Sequence, residues 1–84
     1  MKYEIVDHAG AVEAIGAYGG YRIRMSLGLS PTGPQVRVWV RGSESEEEVE
    51  VDVPLKRLNN RDEAFDHGYA IAALWIDAEN KRIL

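Results

Sequence analysis

The chain has 84 residues, of which 45% are hydrophobic and 29% charged, and its formal net charge is −4. This length predicts one domain, residues 1–84, with a modest core, and the lack of cysteine excludes disulfides, thiolate catalysis and cysteine-based zinc sites. The negative charge argues against partners held mainly by electrostatic attraction, such as duplex nucleic acid or an anionic membrane.

The first 20 residues have the weakest pattern. Tyr3 to Val6 is consistent with a short strand, and Ala9 to Ala17 with a short helix, although its two glycines each lower helix propensity by roughly 1 kcal/mol. Gly19 and Gly20 then break the chain before the first long strand. No apolar run has the length of a signal peptide or a transmembrane helix, so we expect a cytoplasmic protein without a membrane partner.

Residues 21–55 alternate between apolar and polar side chains, the period of a half-buried strand. The alternation predicts three strands, Tyr21 to Leu29, Gln35 to Arg41 and Glu48 to Leu55. A Pro/Gly turn at Ser30 to Pro34 and an acidic connection at Gly42 to Glu47 separate them. Short connections between such strands are typical of an antiparallel meander with one buried face.

The last of these strands is expected to direct all four of its apolar residues inward, namely Val49, Val51, Val53 and Leu55. In one register of the second hairpin, Val40 lies opposite Val49 and Val38 opposite Val51. Trp39 then lies opposite Glu50. The same register brings opposite charges together on the outer face, Arg41 with Glu48 and Arg37 with Asp52.

The final element is predicted to be a long helix over residues 60–80. Asn60 is a favourable N-cap, and Glu63 follows at the spacing of a capping box. We expect the backbone to approach the sheet most closely at Gly68 and Ala72, which are small and four residues apart. A period of 100° groups the apolar residues on one face: Ala64, Phe65, Gly68, Tyr69, Ile71, Ala72, Trp75 and Ile76.

These elements predict an α+β fold. A three- to four-stranded antiparallel sheet carries one long C-terminal helix on one face, with a short N-terminal helix if Ala9 to Ala17 is helical. No second layer of the chain is available for the outer sheet face, apart from what the first 20 residues could reach. A function is therefore expected on that outer face or at an edge of the sheet.

No motif indicates catalysis, a metal or a cofactor, so we expect a protein that is not an enzyme. His8 and His67 lack a third group at a metal-ligand or catalytic spacing. The acidic run that ends at Asp52 lacks the glycine and the alternation of an EF-hand loop, and is interpreted as a solvated surface. There is no Gly-x-Ser-x-Gly elbow and no strand–glycine–helix arrangement for phosphate.

The candidate site is a group of arginines around one tryptophan on the outer face: Arg22, Arg24, Arg37, Trp39 and Arg41. Three interpretations are open. Arginine stems could cover Trp39 while their guanidinium groups pair with Glu48, Glu50 and Asp52. The group could anchor a protein contact, or it could stack bases and hold phosphates of single-stranded nucleic acid.

The expected function is therefore a protein-interaction or self-association module that uses the sheet face or an edge, with another protein or a second copy as its partner. Single-stranded nucleic-acid binding is the alternative. No small-molecule substrate is indicated.

Two resemblances accompany these patterns. If Ala9 to Ala17 is helical, the order of elements is similar to that of double-stranded-RNA-binding domains. That family begins its second helix with a lysine-rich cluster, whereas this helix begins at Asn60 with Asn-Arg-Asp-Glu-Ala, so no residue role is transferred. Tyr21 to Arg24, Val36 to Val40 and the helix from Phe65 to Asp77 resemble small proteobacterial proteins that join alternating strands to an Ala-rich helix. This resemblance implies a bacterial cytosolic protein and no particular reaction.

Overall fold

A computed structural model describes residues 2–42 and 47–82. Five antiparallel strands form one open sheet in the order β1-β2-β3-β4-β5, and one helix packs on one of its faces. This confirms the α+β class, although the sheet has more strands than the three or four predicted. The elements are β1 Tyr3–His8, β2 Ala11–Tyr18, β3 Tyr21–Ser30, β4 Gly33–Gly42, β5 Val49–Val51 and α1 Arg61–Arg82.

The predicted helix over Ala9 to Ala17 is wrong, because this segment forms β2. Strand β2 pairs with β1 on one side and β3 on the other, so its even-numbered residues face the core with the period of a strand. Ala14 is completely buried there. The chain therefore lacks the helix–meander–helix order that a resemblance to double-stranded-RNA-binding domains requires.

The turns at both ends of β2 determine its pairing. Ala9 and Gly10 have φ values of +32° and +94°, and Gly19 and Gly20 have values of +55° and +84°. Two consecutive residues with positive φ are characteristic of the type I′ turn, whose twist matches that of a two-residue hairpin. Gly10, one of the two glycines that lower the helix propensity of this segment, is thus a residue that the first hairpin needs.

Strands β3 and β4 agree with the predicted pattern. Ile23 lies opposite Val40 and Met25 opposite Val38, and all four side chains are almost fully buried. Arg24 lies opposite Trp39 on the other face of the sheet. The predicted pairing of the next hairpin is also confirmed, with Val40 opposite Val49 and Val38 opposite Val51.

Strand β5 is shorter than predicted. It ends at Val51, and of the four residues expected inward only Val51 is buried, whereas Leu55 is 84% exposed. The physical reason is that residues 52–60 leave the sheet to reach the helix layer. Leu58, 7% exposed, is the residue of this segment that enters the core. Residues 43–46 of the predicted acidic connection lie outside the described part of the chain.

Helix α1 begins as the sequence predicts. The side-chain Oδ1 of Asn60 accepts the backbone N–H of Glu63 at 2.9 Å, which identifies Asn60 as the N-cap. The Glu63 carboxylate accepts a hydrogen bond from Asn59 at 3.4 Å. The predicted apolar face is buried at Ala64, Phe65, Gly68, Tyr69, Ala72 and Ile76 and half-buried at Ile71 and Trp75.

The helix lies over β3 and β4, and its backbone approaches the sheet closely at Gly68. A Cβ atom placed there would lie 2.8 Å from Val36 Cγ1, 3.0 Å from Val38 Cγ2 and 3.1 Å from Met25 Sδ. These distances are shorter than an ordinary van der Waals contact, so a side chain at position 68 would push the helix away from the sheet. The predicted approach at Gly68 is confirmed.

We expect Gly68→Ala to lower the free energy of unfolding by about 1–2 kcal/mol, because overpacking costs more than the gain in helix propensity. Chemical denaturation measures the change. Gly28→Ala is the matched control, since no atom lies within 4 Å of a Cβ at that exposed strand position. Equal stability of the two variants would contradict the close approach.

We expect Ala9→Asn to raise the free energy of unfolding by about 0.5–1 kcal/mol, because alanine is strained at positive φ and Asn-Gly favours the type I′ turn. Urea denaturation at neutral pH measures the gain. The same substitution at Ala11, an exposed position in extended strand, is the control and should give no gain. A gain at Ala11 equal to that at Ala9 would exclude relief of turn strain as the cause.

Candidate functional site

The outer sheet face carries one transverse row of side chains through all five strands: Glu4, Ile15, Arg24, Trp39 and Glu50. Trp39 is half-buried within this row. The guanidinium carbon of Arg24 lies 4.2 Å from the centre of its ring, and that of Arg37 lies 5.0 Å from it. Of the five predicted residues, the structure thus stacks Arg24 and Arg37 on the ring of Trp39.

Carboxylates from both sides neutralise this stack. Arg24 binds Glu48 through two hydrogen bonds of 2.9 and 3.1 Å and Glu13 at 3.2 Å. Arg37 binds Glu50 through two hydrogen bonds of 2.9 Å. The predicted pairs Arg41–Glu48 and Arg37–Asp52 are therefore replaced by pairs between other positions, because long side chains reach their partners along the diagonal of the sheet.

The remaining predicted residues, Arg22 and Arg41, face each other across β3 and β4 at the end of the sheet near the β4–β5 connection. Neither forms an ion pair with another residue of the described ranges. Arg41 acts on Glu48 through its charge alone. The five predicted residues thus form a neutralised stack and a separate pair of cations.

Hydrogen bonds from arginine lower the pKa of Glu48 and of Glu50, with Arg24 acting on the former and Arg37 on the latter. A carboxyl group whose pKa is lower in the folded state stabilises the fold above its unfolded value, 4.5, and loses this contribution as the pH falls through the folded value. The outer face should therefore weaken below pH 4.5.

Glu48→Gln tests this dependence. We expect the variant to be less stable than wild type at pH 7, by about 0.2–1 kcal/mol. The difference should vanish as the pH falls below the folded pKa of Glu48, since wild type then loses the same charge. Urea denaturation at several pH values measures both, with Asp52→Asn, an exposed carboxylate nearby, as the control. A difference that persists in acid would point to packing instead.

A second surface is the free edge of β1. The type I′ turn at Ala9 and Gly10 makes His8 and Ala11 a hydrogen-bonded pair, and such pairs alternate along an antiparallel ladder. Val6 and Glu4 therefore direct their backbone groups toward β2. Tyr3, Ile5 and Asp7 direct theirs outward, where the sheet order places no further strand.

Beside this edge lies an open groove of about 640 Å³ between the start of β1, the end of β2 and helix α1. We call it the tyrosine groove. Two carboxylates on α1 order its tyrosines: Tyr3 donates to Asp66 at 2.6 Å, and Tyr18 donates to Asp77 at 3.0 Å. It is lined by Lys2, Tyr3, Tyr18, Asp66, Tyr69, Ala70 and Ala73.

The tyrosine rings pack against one another around the groove. The ring of Tyr69 lies 5.8 Å from that of Tyr3 and 6.3 Å from that of Tyr18, the second pair edge to face. Tyr69 also donates to the carbonyl of Ala17 at 3.0 Å, which joins the helix to β2. Small residues, Ala70 and Ala73, form the helix side and leave the space open.

Burial and the neighbouring Asp66 raise the pKa of Tyr3, and the hydrogen bond to Asp77 raises that of Tyr18. Both phenols therefore remain protonated at neutral pH and act as hydrogen-bond donors. The carboxylates keep the capacity for further donors, since an ionised carboxylate accepts about four hydrogen bonds.

Sequence reasoning did not find the tyrosine groove. Its residues come from both ends of the chain, with Tyr3 and Asp66 separated by 63 positions. The helical interpretation of Ala9 to Ala17 also left Tyr18 without the strand that places it beside the helix. The sequence holds one indication of it. The chain has four tyrosines and a single phenylalanine, and a buried tyrosine needs a hydrogen-bond partner for its hydroxyl group.

Other titratable groups form separate contacts. His8 lies 3.6 Å from Glu13, and the ring of His67 lies 3.1 Å from the carbonyl of Pro54. Within residues 2–42 and 47–82, no three His, Asp or Glu side chains are grouped as metal ligands. Neither histidine lines the tyrosine groove.

Comparison of the chain with models of protein families, with curated proteins and with solved structures finds no match. In the described part of the chain, no helix is both long enough and apolar enough to cross a membrane.

Proposed function

We propose that this domain is a non-enzymatic protein-binding module that captures an extended segment of its partner as a sixth strand beside β1. The proposal keeps the protein-interaction class predicted from the sequence and selects the edge of the sheet over its face. The main observation in its favour is that the free edge of β1 has the tyrosine groove directly beside it.

The β1 edge supports strand addition because it presents outward-directed backbone groups at Tyr3, Ile5 and Asp7. Main-chain hydrogen bonds to such an edge provide affinity for an extended segment regardless of its sequence. Proteins protect exposed edges with proline, bulges, very short strands or charged side chains. Strand β1 has six residues and no proline, and its carboxylates are those of Glu4 and Asp7.

The groove supports selectivity in such a complex. Residues of an added strand that lie opposite Tyr3 and Ile5 share their orientation and point toward the helix side of the sheet. There they would meet the tyrosine rings and the two alanines of α1. A strand edge that offers hydrogen bonds beside a groove that accepts alternate side chains is a recurrent arrangement for peptide recognition.

The outer face supports a contact less strongly. Arg24 and Arg37 are already held by carboxylates, and a partner would have to replace these ion pairs. Single-stranded nucleic-acid binding through the five predicted residues stays a prediction. It has less support, since two guanidinium groups already lie over the ring of Trp39 that a base would need.

Asp7→Pro tests strand addition. Proline removes the outward N–H of an exposed residue and leaves the β1–β2 hydrogen bonds in place. Peptides selected on the wild-type protein from a randomised display library should bind this variant at least about tenfold more weakly. Asp7→Ala, which loses the same carboxylate and keeps the N–H, should bind them as wild type does.

Amide hydrogen exchange of the wild-type complex provides a second measurement. We expect a bound peptide to slow the exchange of Tyr3, Ile5 and Asp7 more than that of residues elsewhere in the sheet. Equal binding by Asp7→Pro and Asp7→Ala, with protection on β4 instead, would exclude the β1 edge as the binding surface. Circular dichroism controls for folding of both variants.

A further inference from the structure

We infer that the segment bound beside β1 carries a lysine or arginine, and that the tyrosine groove recognises the cationic end of this side chain. This inference rests on the proposed function. It adds the chemistry of the ligand, a positively charged side chain on an extended protein segment.

One ammonium group, that of Lys2, already lines the groove. The Nζ atom of Lys2 lies 5.7 Å from the centre of the Tyr69 ring. Cations within about 6 Å of an aromatic ring are attracted to its electron-rich face. Lys2 is exposed, so a partner's side chain could displace it from this position.

The groove also has carboxylates in and beside its lining. Asp66 lines it, Asp77 is bound to the lining residue Tyr18, and Asp62 is near enough to act electrostatically on Tyr3. Lys2 is the only cationic side chain among the groove's lining residues, all of which lie in the described ranges. A second cation would thus be favoured and an anion repelled.

The groove combines aromatic rings with a carboxylate. An aliphatic stem can pack on Tyr3 and Ala70 while its charged end reaches Asp66, since lysine and arginine join an apolar stem to a cationic tip. A purely apolar side chain would fill the same space and leave the carboxylate without a new partner. The groove should therefore prefer lysine or arginine to an apolar residue of equal length.

The test uses peptides of about nine residues, the usual length of a strand, selected from a randomised display library on the 84-residue chain. We expect one position to be enriched in lysine or arginine. Replacing that residue by norleucine, which keeps the stem and removes the charge, should weaken binding to wild type about tenfold, measured by calorimetry. Glutamate there should weaken it further.

Two variants locate the effect in the groove. Asp66→Asn keeps the acceptor for Tyr3 and removes the charge, so it should reduce the preference for lysine over norleucine to about twofold or less. Lys2→Met removes the competing ammonium and should bind the lysine peptide more tightly than wild type. General damage to the fold would weaken binding. A gain in affinity would therefore come from recognition of the peptide's lysine by the groove.

The outcomes distinguish this inference from the proposed function. Equal affinity for the lysine and norleucine peptides overturns the inference, and strand addition stands if Asp7→Pro still weakens binding at least about tenfold relative to Asp7→Ala. Equal binding by Asp7→Pro and Asp7→Ala overturns strand addition even if lysine is preferred. A library that enriches no peptide overturns both.

Discussion

The contact between Gly68 and the sheet determines the arrangement of the whole domain. Without a side chain at this position, α1 approaches β3 and β4 until its backbone meets Val36, Val38 and Met25. The helix is therefore held over one half of a five-stranded sheet. A single helix about 10 Å wide does not cover all five strands, so β1 stays uncovered along much of its length.

The tyrosine groove follows from this placement. Tyr3 lies over Gly16, where a Cβ atom would lie 2.8 Å from the carbonyl of Lys2, and its ring leans toward the helix. Tyr69 extends from the helix toward β2, and alanines occupy the next turn. The space between helix and edge is thus bounded by rings from both layers. It is a consequence of packing a narrow layer on a wide one.

The charged side chains of the outer face contact one another and Trp39. Arg24 joins β2 to the segment before β5 through its two carboxylates and packs on Trp39 of β4. Such ion pairs link neighbouring strands on the face of the sheet opposite the helix. The residues that first suggested a binding site therefore pack on and pair with neighbours within the sheet, while the β1 edge offers outward-directed backbone groups beside the tyrosine groove.

The sequence by itself determined the elements whose pattern is local. Alternation specified β3 and β4 and the parity of the register between β4 and β5, and Asn60 specified the start of the helix, because strand faces and N-caps depend on neighbouring residues. The small residues Gly68 and Ala72 predicted where the helix nears the sheet, and the close contact is observed at Gly68. Four of the five candidate residues were arginines, and their position on the outer face followed from the same alternation.

Only the tertiary structure decided the state of residues 9–17 and the location of the proposed site. Ala9 to Ala17 contains apolar residues that fit either period, and pairing with strands on both sides selected the extended form. Leu55 alternates like a core residue, yet the chain leaves the sheet before reaching it. The tyrosine groove joins residues from opposite ends of the chain, and no local pattern encodes a distance between a helix and a strand edge.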